Sequence, residues 1–217
     1  IAVGLGFYST GLFHVFTHAF FKAMLFMGAG GIIIALHHEQ NIFKIAKHRA
    51  NLPIIGLTFL IGVIAISGIP PFSGFFSKDA ILAAAFQEGQ YLIYGIALFT
   101  AFLTAYYMFR MYFIVFVAPN HHDVDYVYTS KTITLPLLIL AIGAVGAGFL
   151  NLPSIFGGNH FVDTWLGQLN SKVIHLDHST EYILMILSVV VAACGIFVAY
   201  KKYANFDLSK EETETGF

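Results

Sequence analysis

His14, His18 and Lys22 recur at a spacing of four residues. On a helix that spacing places all three on one face, each about a turn from the next. Imidazole titrates near neutrality and a desolvated amine exchanges a proton at accessible cost, so water along such a face could carry protons. Thr17 and Phe21 flank the stripe. Two other readings stay open on the residues alone. Lys22 could pair with a carboxylate on another helix and serve packing only. His14 and His18 could hold a metal, although positions 9–36 offer no Asp, Glu or Cys to complete the set.

A second group follows at Ser67-Gly68-Ile69-Pro70-Pro71-Phe72-Ser73-Gly74, then Ser77-Lys78-Asp79. Two prolines remove backbone donors and two glycines loosen the chain, so a helix through this stretch must break. Ser77 is expected to cap the resumed half-helix. Asp79 would then lie in the first turn, where the helix dipole favours a carboxylate and disfavours Lys78. Broken helices of this kind mark ion and proton pathways in transporters. The alternative is a surface loop between two short helices. Arg110 is balanced between snorkelling to a headgroup and a place in a pathway, and Tyr106 and Tyr107 beside it suit an interfacial belt.

Other patterns call for plainer readings. Gly28-Ala29-Gly30-Gly31 and 143–148 are small-residue packing surfaces, because no strand precedes them to make a phosphate loop. His121-His122-Asp123 and His37-His38-Glu39 have spacings that permit a metal but equally suit polar loops. Cys194, the single cysteine, sits in an apolar run and is expected to be a small buried hydrophobe. One cysteine excludes a disulfide framework and an iron–sulfur centre.

The elements that must position these residues follow from composition. The chain has 217 residues, 58% hydrophobic and 11% charged, with mean hydropathy +0.77. Soluble domains carry about 25% charged residues, which argues strongly against a soluble globular enzyme and excludes a disordered chain. A net charge of -1 leaves no basic field for nucleic acid. No Asp, Glu, Lys or Arg occurs in 1–21, 23–38, 50–77, 89–109, 132–162 or 182–200. Most of these gaps reach the roughly 20 residues that a helix needs to cross a bilayer core. The continuous apolar block at 183–200 lacks the alternation of a β-barrel strand.

The expected architecture is therefore all-α: a polytopic transmembrane helix bundle of about five spans, one of them broken. The spans fall at 9–36, 52–86 (interrupted), 90–117, 132–150 and 181–203. Residues 1–8 read as the end of a preceding element, since the chain opens on Ile1 within apolar sequence and resembles an internal fragment. Residues 151–180 read as an outer loop with a short interfacial helix near 160–169, and 204–217 as a polar tail. Lys44, Lys47, Arg49, Lys131, Lys201 and Lys202 fall at one end, against Lys172 at the other. The positive-inside rule places loops 37–51 and 118–131 in the cytoplasm. Lys22, Lys78, Arg110 and Asp79 remain inside spans, where a charge costs about 3 kcal/mol on insertion scales, so each is a functional candidate.

His14-Val-Phe-Thr-His18-Ala-Phe-Phe-Lys22, His37-His38-Glu39-Gln40 and Gly68-Ile-Pro-Pro-Phe-Ser-Gly-Phe-Phe-Ser-Lys78-Asp79 together resemble an antiporter-like membrane subunit of respiratory complex I. Their order and separation are similar to the L-type chain, subunit 5 in mitochondria. The resemblance is strongest over residues 9–82, and beyond about 120 it rests on hydropathy and span order. It implies a proton-translocating subunit of NADH:quinone oxidoreductase, in the second of two inverted repeats, driven by quinone chemistry elsewhere. Lys22 would match the central-axis lysine, with His14 and His18 linking waters beside it. Lys78 would match the broken-helix lysine that hands protons outward, accompanied by Asp79.

The resemblance also implies no cofactor in this chain, with flavin, iron–sulfur clusters and quinone held by other subunits. Its partners would be the other membrane-arm subunits and the lipid bilayer, in a bacterial inner membrane. Residues 9–118 would form the second-repeat channel and 119–203 the C-terminal spans, with the tail leading toward a lateral helix. Two departures stand out: Ile45-Ala46-Lys47-His48 replaces a Met-Gly-Gly-like turn, and Ala80 stands where relatives often carry Glu after the aspartate. The second removes one candidate proton carrier beyond Lys78. A multi-subunit cation/proton antiporter's large subunit is the alternative reading, and a purely structural membrane subunit is a third.

Overall fold

A computed structural model describes residues 1–46, 52–119, 130–153, 157–158, 161–166 and 172–206. Loop residues His121, His122, Asp123, Lys47 and Arg49 lie outside that set, as do 207–217 of the tail. The described elements are helical. They are α1 (Tyr8–Ala35), α2 (Ile42–Ala46), α3 (Pro53–Ser67), α4 (Ser73–Gln87), α5 (Tyr91–Tyr112), α6 (Lys131–Gly146), α7 (Phe161–Trp165) and α8 (His178–Tyr203). A π turn at Phe113–Val117 extends α5, and a 3-10 turn at Ala147–Leu150 extends α6. With these extensions, α1, α5, α6 and α8 are each long and apolar enough to span a bilayer.

The broken span falls where the prolines require it. α3 and α4 have 15 residues each, or about 22 Å at 1.5 Å per residue, so neither crosses a core of about 30 Å alone. Pro53 opens α3 at its first turn, where the missing N–H costs nothing. Gly68 closes it with φ +74, donating its N–H back to Ala65. That left-handed conformation suits glycine, which has no Cβ to strain. α4 resumes at Ser73 with Phe72 at its N-cap. Ser77 is therefore inside the helix rather than its cap. Asp79 is the seventh residue of α4, beyond the reach of the first-turn dipole argument. The reason is that the break needs only residues 68–72, so the helix resumes five residues earlier than the Ser-Lys-Asp signal suggested.

α1 ends by a different device. His37 and His38 take positive φ values of 53 and 69, and the His38 N–H returns to the Ile33 carbonyl at 2.8 Å. Glu39 then accepts the N–H groups of Gln40 and Asn41, both at 2.9 Å, and pairs with Lys44 at 3.5 Å. These backbone bonds, with Lys44 adding to them, hold the Glu39 carboxyl below its ordinary range. The segment is a helix stop and a turn into α2, which accounts for its polar residues without a metal.

Helix packing brings the two halves of the chain together. α1 packs against α3, α4 and α6, while α5 lies along α8. One core gathers Phe21, Met24, Ile55, Leu137 and Ala144, and a second gathers Phe59, Val63, Phe109, Ile114 and Ala199. Small residues permit the close approaches: Gly28 faces Phe59, Gly31 faces Ile55 and Ile133, and Gly195 faces the α5 backbone at Phe102. Large apolar side chains such as Phe26, Leu92, Ile142 and Phe197 point outward, as expected of helices surrounded by lipid. Cys194 is among the exposed residues. Its apolar neighbours reflect a lipid-facing surface of α8 rather than a buried one.

The bundle has two unlike ends. Lys44, Lys131, Lys201 and Lys202 cluster at one, called the basic end below. At the opposite end Lys172 pairs with Glu88 at 2.6 Å, and the Lys172 N–H bonds to the Gly6 carbonyl at 3.0 Å. Residues 1–7 form a short turn there, with Ala2 and Phe7 buried against Ala84. The helix expected near 160–169 appears as the single turn and a half of α7, with Trp165 exposed.

Candidate functional site

His14, His18 and Lys22 do share a face of α1, with the two imidazole centroids 5.8 Å apart. They border a cavity of about 660 Å³ between α1, α4 and α5, and Lys78 borders it from α4. Most of the remaining wall is apolar or hydroxylated, including Ile96, Thr100 and Thr104 of α5. Lys22 lies over the Phe26 ring with its nitrogen 5.1 Å from the centroid, a contact that holds a partly buried ammonium against an aromatic face. Four nitrogen bases thus meet around one space, although 56 residues separate Lys22 from Lys78 in the sequence.

Ser77 ties the two elements. Its hydroxyl lies 3.0 Å from His14 Nδ1 and accepts from the Thr17 hydroxyl at 2.8 Å. Ser77 and Thr17 are fully buried, so these bonds have no competing water and fix how α1 meets α4. The serine read from sequence as a cap is instead a bridge. His14 directs Nδ1 into that bridge, which leaves Nε2 as its other nitrogen for exchange. A metal held by His14 and His18 finds no third protein ligand, since the described residues contain no cluster of three His, Cys, Asp or Glu able to hold an ion.

Lys78 and Asp79 part company. The Lys78 ammonium donates to the Ser67 carbonyl at 3.0 Å, one of the last carbonyls of α3, where helix geometry leaves acceptors free and the dipole is negative. The dipole therefore supports the lysine charge, contrary to the expectation from sequence. Gly68 leaves room for this: a Cβ there would collide with the Lys78 nitrogen. Asp79 is 8% exposed and turns to α8, where the Ser188 hydroxyl lies 2.8 and 3.0 Å from its two oxygens. Ser188 escaped the sequence reading. Its signal was one hydroxyl in the midst of an apolar span. Arg110 lies apart from the cavity, stacked 5.2 Å from the Tyr203 ring beside a Tyr106–Tyr203 hydroxyl contact of 3.3 Å.

With this geometry in place, comparison with known proteins is informative. Residues 1–104 match the family described as NADH:quinone oxidoreductase/Mrp antiporter, TM. The chain is 37% identical over 216 residues to the NADH-quinone oxidoreductase subunit L of Campylobacter jejuni, covering 99% of this chain and 34% of that protein. Over nearly its whole length the chain is similar to L-type antiporter-like subunits. Subunit L of Escherichia coli K12 is 39% identical over 202 residues, 92% of this chain and 31% of the relative. Subunit 5 of the NAD(P)H-quinone oxidoreductase of the Paulinella chromatophora chromatophore is 37% identical over 237 residues, 94% and 35% respectively. The chain thus spans about a third of the length of these L-type relatives. The similarity runs past residue 120, further than the motifs alone reached.

Proposed function

We propose that the chain is part of a proton-translocating membrane subunit of NADH:quinone oxidoreductase, and that Lys22, His18, His14 and Lys78 pass protons through water in the α1–α4–α5 cavity. The observation that supports this most is the convergence of four titratable nitrogens, from two elements, on one open groove between α1, α4 and α5. Charges inside a membrane are costly and are retained where they conduct. The broken span adds a reason for the lysine to sit there, because the freed carbonyl of Ser67 accepts its proton donor. Lys78 would bind a proton when the cavity side supplies one and release it when its bond to Ser67 and its surroundings change. Asp79 would stand on the far side of the same helix as the next acceptor.

Residues 9–118 would make up this channel and 119–203 the spans that close it. The partners would be the remaining membrane-arm subunits, and the redox cofactors would belong to other chains. The basic end would face the cytoplasm of a bacterial inner membrane. The test is the proton-to-electron ratio of the assembled complex in sealed vesicles. Lys78→Ala and Lys22→Ala should each lower it while NADH oxidation persists or falls with it. Pumping at the parental ratio in both variants would overturn the reading in favour of a structural subunit. Because the matched family description also includes Mrp antiporters, co-purification with quinone-reductase subunits rather than antiporter subunits separates the two classes.

A further inference from the structure

Arg110 reaches a level in the bundle that its place in the sequence conceals. Residues 111–117 continue α5 and its π turn beyond it. Its guanidinium nevertheless lies 5.2 Å from the centre of the Tyr203 ring, at the last residue of α8. The Lys202 ammonium lies 5.4 Å from the same ring centre, and both cations sit beside the Tyr203 hydroxyl. Arg110 is therefore level with the lysines of the basic end, where α8 leaves the bilayer. The ring between the two cations is held in place, since Tyr203 is buried with Tyr106 and Phe206 packed against it.

Two positive charges held at one ring repel each other. An aromatic face attracts cations but has no net charge with which to neutralise them. Lys201, over the Phe197 ring, adds a third positive charge nearby. Among the described residues, no Asp or Glu forms an ion pair with any of the three. We propose that Arg110, Lys202 and the Tyr106–Tyr203 hydroxyl pair form a site for the phosphate of an anionic glycerophospholipid in the leaflet at the basic end.

The chemistry of the cluster fits a phosphate. The planar fork of Arg110 takes two phosphate oxygens at once. The Tyr106 and Tyr203 hydroxyls lie 3.3 Å apart; one donates to the other, which leaves one hydroxyl hydrogen for a further oxygen. Lys202, exposed on a flexible stem, adds its charge to the same headgroup. The surface beneath selects a lipid over a free phosphate. Phe99, Leu103 and Tyr107 are exposed and precede Arg110 at helical spacing on one face of α5. That stripe gives an acyl chain an apolar track that ends under the guanidinium. A zwitterionic headgroup would bring its own ammonium against the lysines, so the site favours phosphatidylglycerol over phosphatidylcholine. The inference is independent of the proton path and requires only that these helices cross a bilayer.

The test uses the assembled complex reconstituted with a trace of phosphatidylglycerol that carries a diazirine in its acyl chain. Illumination and peptide mass spectrometry should place the label on the α5 stripe that ends at Arg110. A large excess of unlabelled phosphatidylglycerol should remove most of this label, whereas the same excess of phosphatidylcholine, or millimolar inorganic phosphate, should leave most of it. In complex that assembles, Arg110→Gln should lower the label about fivefold, as expected for one cation lost beside an anionic headgroup. Arg110→Lys should lower it less. Absence of label from the stripe, equal competition by phosphatidylcholine, or unchanged labelling in Arg110→Gln would overturn the site. Loss of label to inorganic phosphate would identify a free-phosphate site and overturn the lipid. A carbodiimide cross-link from Lys202 to a carboxylate of another subunit, without lipid label, would make the occupant a protein and overturn it as well. If Arg110→Gln does not assemble, Lys202→Gln at the exposed helix end replaces it, and the competition in the parental complex decides without any variant.

Discussion

At the scale of single residues, the close fit of Gly68, Ser67 and Lys78 is the most exacting feature. Gly68 adopts φ +74 and lies against the Lys78 nitrogen, so any side chain there meets two penalties at once. Gly68→Ala should destabilise the subunit by more than 1 kcal/mol, and it should displace Lys78 from the Ser67 carbonyl. Thermal unfolding of the assembled complex would give the first effect and the proton-to-electron ratio the second. Ser77 belongs to the same scale. Ser77→Ala removes one hydroxyl that both Thr17 and His14 use; Thr17 keeps the His14 carbonyl as an acceptor at 3.1 Å, so the loss falls on the His14 contact and costs about 1 kcal/mol. Ser77→Thr, which keeps the hydroxyl, should recover more pumping than Ser77→Ala. Equal loss in both would show that volume rather than hydrogen bonding sets the role of this position.

At the scale of elements, helix ends carry most of the polar structure. α8 starts on Asp177, whose carboxylate accepts the Thr180 hydroxyl at 2.6 Å and the Thr180 N–H at 3.0 Å. Those two bonds hold its acid below the usual carboxylate range. A depressed folded-state pKa contributes stability above the unfolded value of about 3.9 and loses it as pH falls through the folded value. Amide exchange at 178–181 should therefore stay slow at neutral pH and quicken only under acid conditions below that range. Asp177→Ala should quicken it at neutral pH, with the difference shrinking in acid as the parental carboxylate protonates, whereas Asp177→Asn should retain most of the protection because asparagine also caps. The Glu39 turn works on the same principle at the end of α1, so its charge serves the backbone of the turn first.

At the scale of the whole molecule, the two ends differ in charge. Lys172 and Glu88 close one end, but their side chains are 51% and 27% exposed, so the pair contributes below about 1 kcal/mol. Lys172→Ala should leave the melting temperature nearly unchanged. Its effect belongs to residues 172–176, where faster proteolysis or amide exchange should follow. The distribution of lysines predicts orientation directly. A cysteine placed at Lys131 should react with an impermeant reagent from the cytoplasmic face only, and reaction from the other face would reverse the direction of the proposed pathway.

The amino-acid sequence by itself determined the membrane class, the bundle, the span limits to within a few residues and the break near Pro70-Pro71. Charge-free stretches and paired prolines act locally, and no distant contact can undo the cost of exposing a charge or losing a donor in lipid. It also identified His14, His18, Lys22, Lys78 and Asp79 as residues that lipid would not tolerate without cause. What it left open depends on which helices become neighbours. Only the tertiary structure decided that Ser77 bridges rather than caps, that Cys194 faces outward, and that Ser188 reaches Asp79 across 109 residues of sequence. Lys78 and Asp79, adjacent in the chain, turn to different helices because successive side chains on a helix point about 100° apart, and different helices pack against each face.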